Sequence, residues 1–160
     1  MKTQFFASHP MLQRPLTLTQ QTVGSSDRCM KVPIHQLVNQ LLASLQPLAM
    51  KRDNVILNGI SQELSIEADE NLLAYVLWNL INSAVNSTKN ECIHIVALVR
   101  DDRTMICVND VGTYFYQSIS REYRKVQDAA EKLGGSISIN NDAAHGSNIS
   151  FSISNRRLAA

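Results

Sequence analysis

The sequence lacks the charge excess and the long apolar runs that would indicate several classes of partner. Its 160 residues carry a formal net charge of +1, with both signs spread along the chain. So small a charge gives no basic field for nucleic acid or an anionic bilayer. No apolar stretch approaches the ~20 residues of a membrane span, and the N-terminus has no basic flank before an apolar block. We therefore expect a cytoplasmic protein with no membrane span and no nucleic-acid partner.

Cysteines are also few. Cys29, Cys92 and Cys107 are odd in number and lack the spacing of a metal site. Cys92 and Cys107 fall in apolar runs typical of strands. The pattern predicts buried free thiols in a reducing compartment.

Catalytic patterns are missing as well. No Ser/His/Asp or Cys/His arrangement can be assembled from the spacing, and no Walker-type phosphate loop is present. The four histidines, His9, His35, His94 and His145, are isolated from one another. An isolated histidine is more often structural or exposed than catalytic.

The composition is that of a folded domain, with 44% apolar and 18% charged residues. One core is expected for a chain of this length. Residues 1–28 contain two prolines and the loop-forming run Gly24-Ser25-Ser26, and their apolar residues show no sustained periodicity. This composition predicts a flexible N-terminal arm. The sequence thus predicts one domain over residues 29–156 and a short tail over 157–160.

Three helices are predicted from apolar residues at steps of three and four. The first covers residues 34–48. The second follows Asp69 as its N-cap and carries a broad apolar stripe over residues 72–85, so it should be largely buried. The third covers roughly residues 117–133 and ends at Gly134-Gly135, a pair suited to a left-handed C-terminal cap.

Strands are predicted from β-branched and alternating segments. They form two short single strands and two hairpins, at residues 54–58, 63–67, 92–99 with 105–108, and 136–140 with 148–154. Hairpins give antiparallel pairs, and three helices suffice to cover one face of a sheet. The predicted fold is an α/β (α+β) two-layer sandwich with a mixed, mostly antiparallel sheet covered on one face by three helices.

Four short motifs in order carry a resemblance to a known family. They are Ala68–Leu73 with Val76–Ala84, Val108–Gly112, Leu133–Ile137 and Gly146–Phe151. Together they resemble the asparagine box, the first glycine box and the closing strands of the sensor histidine kinase ATPase domain. Type II topoisomerases, the mismatch-repair ATPase and the large heat-shock chaperone share this fold. The resemblance covers about residues 30–153.

The resemblance implies a nucleotide cleft. Asp110 matches the aspartate that reads the adenine amino group, and Gly112 matches the first glycine of that box. Asn79 lies in the asparagine box, and Ser83 stands where the family places its Mg²⁺-binding asparagine. By the same resemblance, ATP and Mg²⁺ would be the ligands if the cleft is functional.

The chain departs from the family at the phosphate end of this cleft. A serine hydroxyl at position 83 is a shorter and weaker ligand than an asparagine amide. Asn86 replaces a basic residue that the family commonly has near the phosphates. Tyr114, in the cluster Tyr114-Phe115-Tyr116, replaces the second glycine of the first box and its flexibility. Ser120 and Glu122 stand at the positions of the second glycine box, and the roughly five residues between Gly112 and the third helix are too few for a lid.

A phosphoacceptor histidine is also missing from the pattern. His9 with Pro10 and Pro15 only faintly resembles the family's histidine box, and residues 1–28 are too few for its helical hairpin. These departures favour a protein that is not a catalyst and needs no cofactor.

Two functions remain open. In the first, the chain is a non-catalytic signalling module in which Tyr114, Phe115 and Tyr116 bind a partner or plug the former cleft. The partner would be a response regulator, a phosphotransfer protein or a kinase, and a homodimer is also compatible with the sequence. In the second, Asp110 and Gly112 still bind ATP, and the domain phosphorylates a histidine or serine of a partner in trans, as stand-alone anti-sigma kinases do.

Overall fold

The computed structural model describes residues 29–110, 123–142 and 146–155. Its helices are α1 (Ile34–Lys51), α2 (Glu70–Ser87) and α3 (Tyr123–Lys132). Its strands are β1 (Cys29–Pro33), β2 (Val55–Asn58), β3 (Ser65–Asp69), β4 (Cys92–Arg100), β5 (Arg103–Asp110), β6 (Gly135–Asp142) and β7 (Gly146–Ser154).

Five strands form one sheet in the order β2-β4-β5-β7-β6. Strand β2 runs parallel to β4, and the other neighbours in this sheet are antiparallel. The pairs β4–β5 and β6–β7 are the two predicted hairpins. The prediction of a mixed, mostly antiparallel sheet with three helices is therefore confirmed for the part of the chain that the structure describes.

The sequence analysis missed a second, two-stranded sheet. Strand β1 pairs antiparallel with β3, and Val32 lies opposite Ile66. Both side chains are buried, so the small sheet contributes to the core. The two short strands that precede α2 consequently belong to different sheets, and the second lies at Ser65–Asp69 rather than at residues 63–67.

Helix α2 lies at the centre of the helical layer. It contacts α1, α3, β1, β3 and β5, which explains why its apolar stripe is broad. Four of its large apolar side chains are fully buried, namely Leu73, Leu77, Leu80 and Ile81. The prediction that this helix is largely buried is confirmed.

The predicted cap of α2 is present. The carboxylate Oδ1 of Asp69 accepts hydrogen bonds from the backbone N–H of Asn71 at 2.9 Å and of Leu72 at 3.2 Å. These groups have no partner inside the helix, so the side chain replaces lost water contacts.

Removing this cap should lower the stability of the domain. We expect Asp69→Ala to reduce the free energy of unfolding by about 1 kcal/mol, the usual value of an N-cap side chain. Urea denaturation measures the change. Asn71→Ala is the matched control, because Asn71 is exposed in the same turn and uses its backbone in the cap. An equal loss in both variants would contradict the assignment.

Helix α3 ends as predicted. Gly134 has φ 76°, and its N–H donates to the carbonyl oxygen of Glu131 at 2.9 Å. This left-handed conformation suits glycine because a side chain would meet the backbone. The predicted residues 117–122 of this helix lie outside the described residues.

The prediction of buried thiols is wrong for two cysteines. Cys29 and Cys92 are exposed, and Cys107 is half-buried; all three are free. In β4 the inward positions belong to Ile93 and Ile95, so strand alternation directs Cys92 to the outer face. Burial raises the pKa of the Cys107 thiol, which makes it the least reactive of the three.

None of the helices in the described residues is both long and apolar enough to cross a membrane.

Candidate functional site

The candidate site lies where α2, α3 and the end of β5 come together. Helix α2 contacts both β5 and α3. Strand β5 ends at Asp110 and α3 begins at Tyr123, so these elements flank residues 111–122. The fold therefore brings the asparagine box beside the strand that carries the first glycine box.

Ser83 lies on the buried side of α2. It is 8% exposed, and its neighbours Leu80 and Ala84 on the same helix are fully buried. The helical stripe of apolar residues fixes this direction, because residues three and four apart share a face. The residue at the expected metal position is thus a small hydroxyl set among apolar side chains.

The asparagines of α2 use their amide groups within the helix. The Asn79 side-chain nitrogen donates to the carbonyl oxygen of Tyr75 at 2.8 Å. The Asn86 nitrogen donates to the carbonyl oxygen and to Oδ1 of Asn82, at 2.9 and 3.1 Å. These bonds run one turn back along the helix, so they hold the amides along its surface.

The described residues hold no cluster of side chains that would bind a metal ion by itself. Magnesium prefers near-octahedral oxygen ligands, and over the described ranges no three His, Cys, Asp or Glu side chains lie together as a metal site. Ser83, at the expected metal position, is 8% exposed.

The adenine end is described only in its backbone. Asp110 is the last residue of β5 and lies opposite Ser147 of β7, so the sheet fixes the position of its main chain. Gly112 of the adenine end lies outside the described residues, and so do these residues of the phosphate end: Tyr114, Phe115, Tyr116, Ser120 and Glu122. The roles assigned to them remain predictions.

Neither described histidine lies among the predicted site residues. Nδ1 of His35 is 2.7 Å from the carbonyl oxygen of Ile60, a contact that holds the start of α1 to the loop before β3. Nε2 of His94 is 3.3 Å from Sγ of Cys92 on the outer face of β4. His9 and His145 lie outside the described residues.

The sequence analysis assigned no role to Asn54, which fixes the last turn of α2. Its side chain is 5% exposed, and its amide nitrogen donates to the carbonyl oxygens of Val85 and Thr88, both at 3.2 Å. The sequence analysis placed Asn54 only as the first residue of the predicted strand over residues 54–58. No sequence pattern distinguishes this one.

No protein-family model and no curated protein sequence matches the chain. Solved structures do match. Histidine kinase AdeS of Acinetobacter baumannii superposes with a TM-score of 0.69 at 15% identity, covering 80% of this chain and 68% of that one. The catalytic domain of histidine kinase ThkA gives 0.64 at 18% identity, covering 79% of this chain and 95% of that domain.

Full-length ShkA, solved with AMPPNP, gives a TM-score of 0.70 at 21% identity and covers 82% of this chain. This chain spans only 32% of ShkA. At such identities the likeness concerns the fold. The chain has the α+β fold of the histidine kinase catalytic domain.

Proposed function

We propose that this chain is a non-catalytic signalling module of the histidine kinase type, which acts by binding a protein partner in two-component signal transduction. The proposal combines an intact fold with an altered phosphate end. The core of the kinase domain is kept, whereas the residues expected at its metal site are replaced. In our proposal the folded domain spans residues 29–156, between the arm over residues 1–28 and the tail over 157–160.

The observation that carries the proposal is the buried serine at position 83. The resemblance places the metal-binding asparagine at this position, and the residue found there is a serine that is 8% exposed. Phosphoryl transfer depends on a metal that bridges the phosphates and neutralises the developing charge. A short hydroxyl on the buried side of α2 is poorly placed to hold that metal.

The neighbouring asparagines of α2 add no charge at this end of the cleft. The Asn79 and Asn86 amide nitrogens are bonded along the helix, and Asn86 carries no charge where the family commonly has a basic residue. Tyr114, Phe115 and Tyr116 are, in this proposal, aromatic anchors for the partner, since aromatic side chains dominate many protein interfaces.

A response regulator is the partner class we favour. ThkA has been solved in complex with the response regulator TrrA, and this chain matches that structure with a TM-score of 0.67 at 17% identity, covering 97% of this chain and 51% of that one. A phosphotransfer protein or a kinase is the alternative signalling partner. Self-association of the chain is compatible with each of these partner classes.

The competing function is an active kinase domain that binds ATP through Asp110 and Gly112 and acts in trans. The end of β5 at Asp110 beside α2 favours it, because this is the strand end that the resemblance assigns to adenine. The two functions differ in whether ATP with Mg²⁺ binds productively.

Nucleotide titration separates these functions. With ATP and Mg²⁺ at millimolar concentration we expect no change in melting temperature, measured by scanning calorimetry. An active site would behave differently, because a ligand at a hundredfold excess over its Kd adds about 2.7 kcal/mol to stability.

The control for this titration is Asp110→Ala. A rise in melting temperature that requires Mg²⁺ and disappears in this variant would overturn the non-catalytic assignment. A rise that persists in Asp110→Ala would come from binding elsewhere on the domain.

A further inference from the structure

The sheet has one face without helices, which we call the open face. Strand alternation assigns residues to it, because Ile93 and Ile95 of β4 are buried under the helices. The even-numbered residues of β4 therefore point the other way, together with their direct partners on β2 and β5.

An apolar strip crosses this open face from the edge strand β2 to the β4–β5 turn. Four of its side chains are exposed: Val55 by 56%, Leu57 by 45%, Leu98 by 47% and Met105 by 39%. The half-buried Val96 connects them along β4. Half of the exposed large apolar side chains of the described residues thus share one surface, and such a patch marks an interaction site.

The strip ends in a pocket at the β4–β5 turn. The pocket has a volume of about 470 Å³, and its lining residues are Leu98, Arg100, Asp101, Asp102, Arg103, Met105 and Ser152. This volume is in the range of ligand sites. Leu98 lies directly opposite Met105 in the β4–β5 register, and Arg100 lies opposite Arg103.

The charges of this pocket are divided between its two ends. Arg100 and Arg103 stand on the strands, and Nε of Arg103 donates to Oγ of Ser152 at 2.9 Å, which orients the guanidinium. Asp101 and Asp102 stand in the turn beyond. The two positive and two negative groups cancel, so the pocket has little long-range field. A charged ligand would be held by short-range pairing with the arginines on the strands.

We propose that the open face is a docking site for an acidic amphipathic segment of a partner protein, with an apolar side chain in the pocket and carboxylates paired with Arg100 and Arg103. Arginine suits this role because its fork binds a carboxylate through two hydrogen bonds. The nine residues of β4 span about 30 Å, a length that fits a peptide segment better than a small molecule.

A second copy of this chain fits the surface less well. In a two-fold interface the same surface would face itself. The charged side chains described on the open-face strands are Arg100 and Arg103, with no carboxylate among them. A copy would bring two more arginines to these strands, and the carboxylates nearest to them, Asp101 and Asp102, lie in the turn at the end of the pocket rather than on the strands.

This inference does not depend on the proposed function. The pocket lies at the Arg103 end of β5, and the predicted adenine site lies at the Asp110 end, seven residues away. Residues of the helical layer, including Ser83, are on the other face of the sheet.

Calorimetric titration of the full chain tests the docking site. The probe is an amphipathic peptide with a leucine face and flanking glutamates, and its counterpart carries glutamine in place of glutamate. We expect the glutamate peptide to bind, and Leu98→Ser and Arg103→Gln each to raise its Kd about tenfold or more. Arg103→Gln should have little effect on the glutamine peptide, because the charge pair is already absent.

Two matched controls accompany these variants. Val99→Ser removes an apolar side chain that is 55% exposed and adjacent to Leu98 but on the helical face, and Arg124→Gln removes an exposed arginine of α3. Both should bind as the unchanged protein does, and circular dichroism checks that every variant is folded. The proposal is overturned by absence of binding, by equal binding of the two peptides, or by equal losses in the controls. Self-association of the free chain that Leu98→Ser abolishes would also overturn it in favour of a second copy.

Discussion

Asn54→Ala will lower the free energy of unfolding by about 3 kcal/mol, because it leaves several buried polar groups without partners. The Asn54 nitrogen donates to the carbonyl oxygens of Val85 and Thr88 and to Oγ1 of Thr88, the last at 3.0 Å. Its Oδ1 accepts from the backbone N–H of Glu91 at 3.1 Å. One side chain therefore closes the C-terminal end of α2 and joins it to the start of β4.

Guanidinium denaturation followed by circular dichroism measures this loss. Asn140→Ala is the control, because Asn140 is exposed and its side chain makes a single long contact of 3.4 Å with Asn148. We expect the control to change stability by less than about 0.5 kcal/mol. Equal effects in the two variants would show that the Asn54 network adds nothing beyond an ordinary surface contact.

A second measurement separates the network from general packing. Thr88 is 3% exposed, and its hydroxyl donates to the carbonyl oxygen of Ala84 at 2.8 Å. If Asn54 and Thr88 act together, the losses from Asn54→Ala and Thr88→Ala should not add in the double variant. Additive losses would mean that the two side chains act independently.

Local signals in the sequence were sufficient for the central helix. The apolar stripe over residues 72–85 and the cap residue Asp69 are encoded within a few turns, and both appear in the structure as predicted. The two hairpins were predicted for the same reason, since β4 and β5, like β6 and β7, follow each other in the sequence.

Long-range pairing is what the sequence could not reveal. Strand β1 pairs with β3 across the whole of α1, so Cys29 lies opposite Asp69. No local pattern specifies a partner forty residues away. The same limit applies to Asn54, whose acceptors on α2 lie more than thirty residues along the chain.

The error over the cysteines had a different cause. Cys92 was predicted from the apolar character of its segment, whereas its exposure depends on the phase of the alternation. Ile93 and Ile95 occupy the inward positions, and one residue of displacement moves a side chain to the other face. The phase was present in the sequence and would have placed Cys92 correctly.

The roles of the candidate site residues stay predictions. Helix α2 contacts β5, the strand that ends at Asp110. The buried setting of Ser83 depends on packing between α2 and its neighbours, which the motif does not encode. The aromatic segment from Tyr114 remains a prediction.

Gly135→Ala will be strongly destabilising, although Gly135 was predicted only as part of a helix cap. A Cβ atom at this position would overlap the carbonyl oxygen of Ser152 and would lie 2.7 Å from Cε2 of Phe151. The Phe151 ring is fully buried, so it cannot move without disturbing the core. We expect a loss of about 3 kcal/mol, at the upper end for overpacked sites.

The adjacent residues Gly134 and Gly135 are therefore required to be glycine for different reasons. Gly134 is required for its φ of 76°, and Gly134→Ala should cost about 1–2 kcal/mol through backbone strain. Gly59→Ala is the control. A Cβ atom at this position would lie 3.3 Å from the Ile95 carbonyl oxygen and 3.4 Å from a Val96 methyl group, so it meets no severe overlap. That variant should lose less than about 1 kcal/mol.

A double-variant cycle identifies the source of the Gly135 effect. Phe151→Leu removes the ring that meets the new methyl group, so Gly135→Ala should cost less in that background than in the unchanged protein. The relief should be partial, because the contact with the Ser152 carbonyl oxygen belongs to the backbone. Denaturation midpoints of the four proteins measure this. An unchanged cost in the Phe151→Leu background would place the whole effect in the backbone contact and contradict a role for the ring.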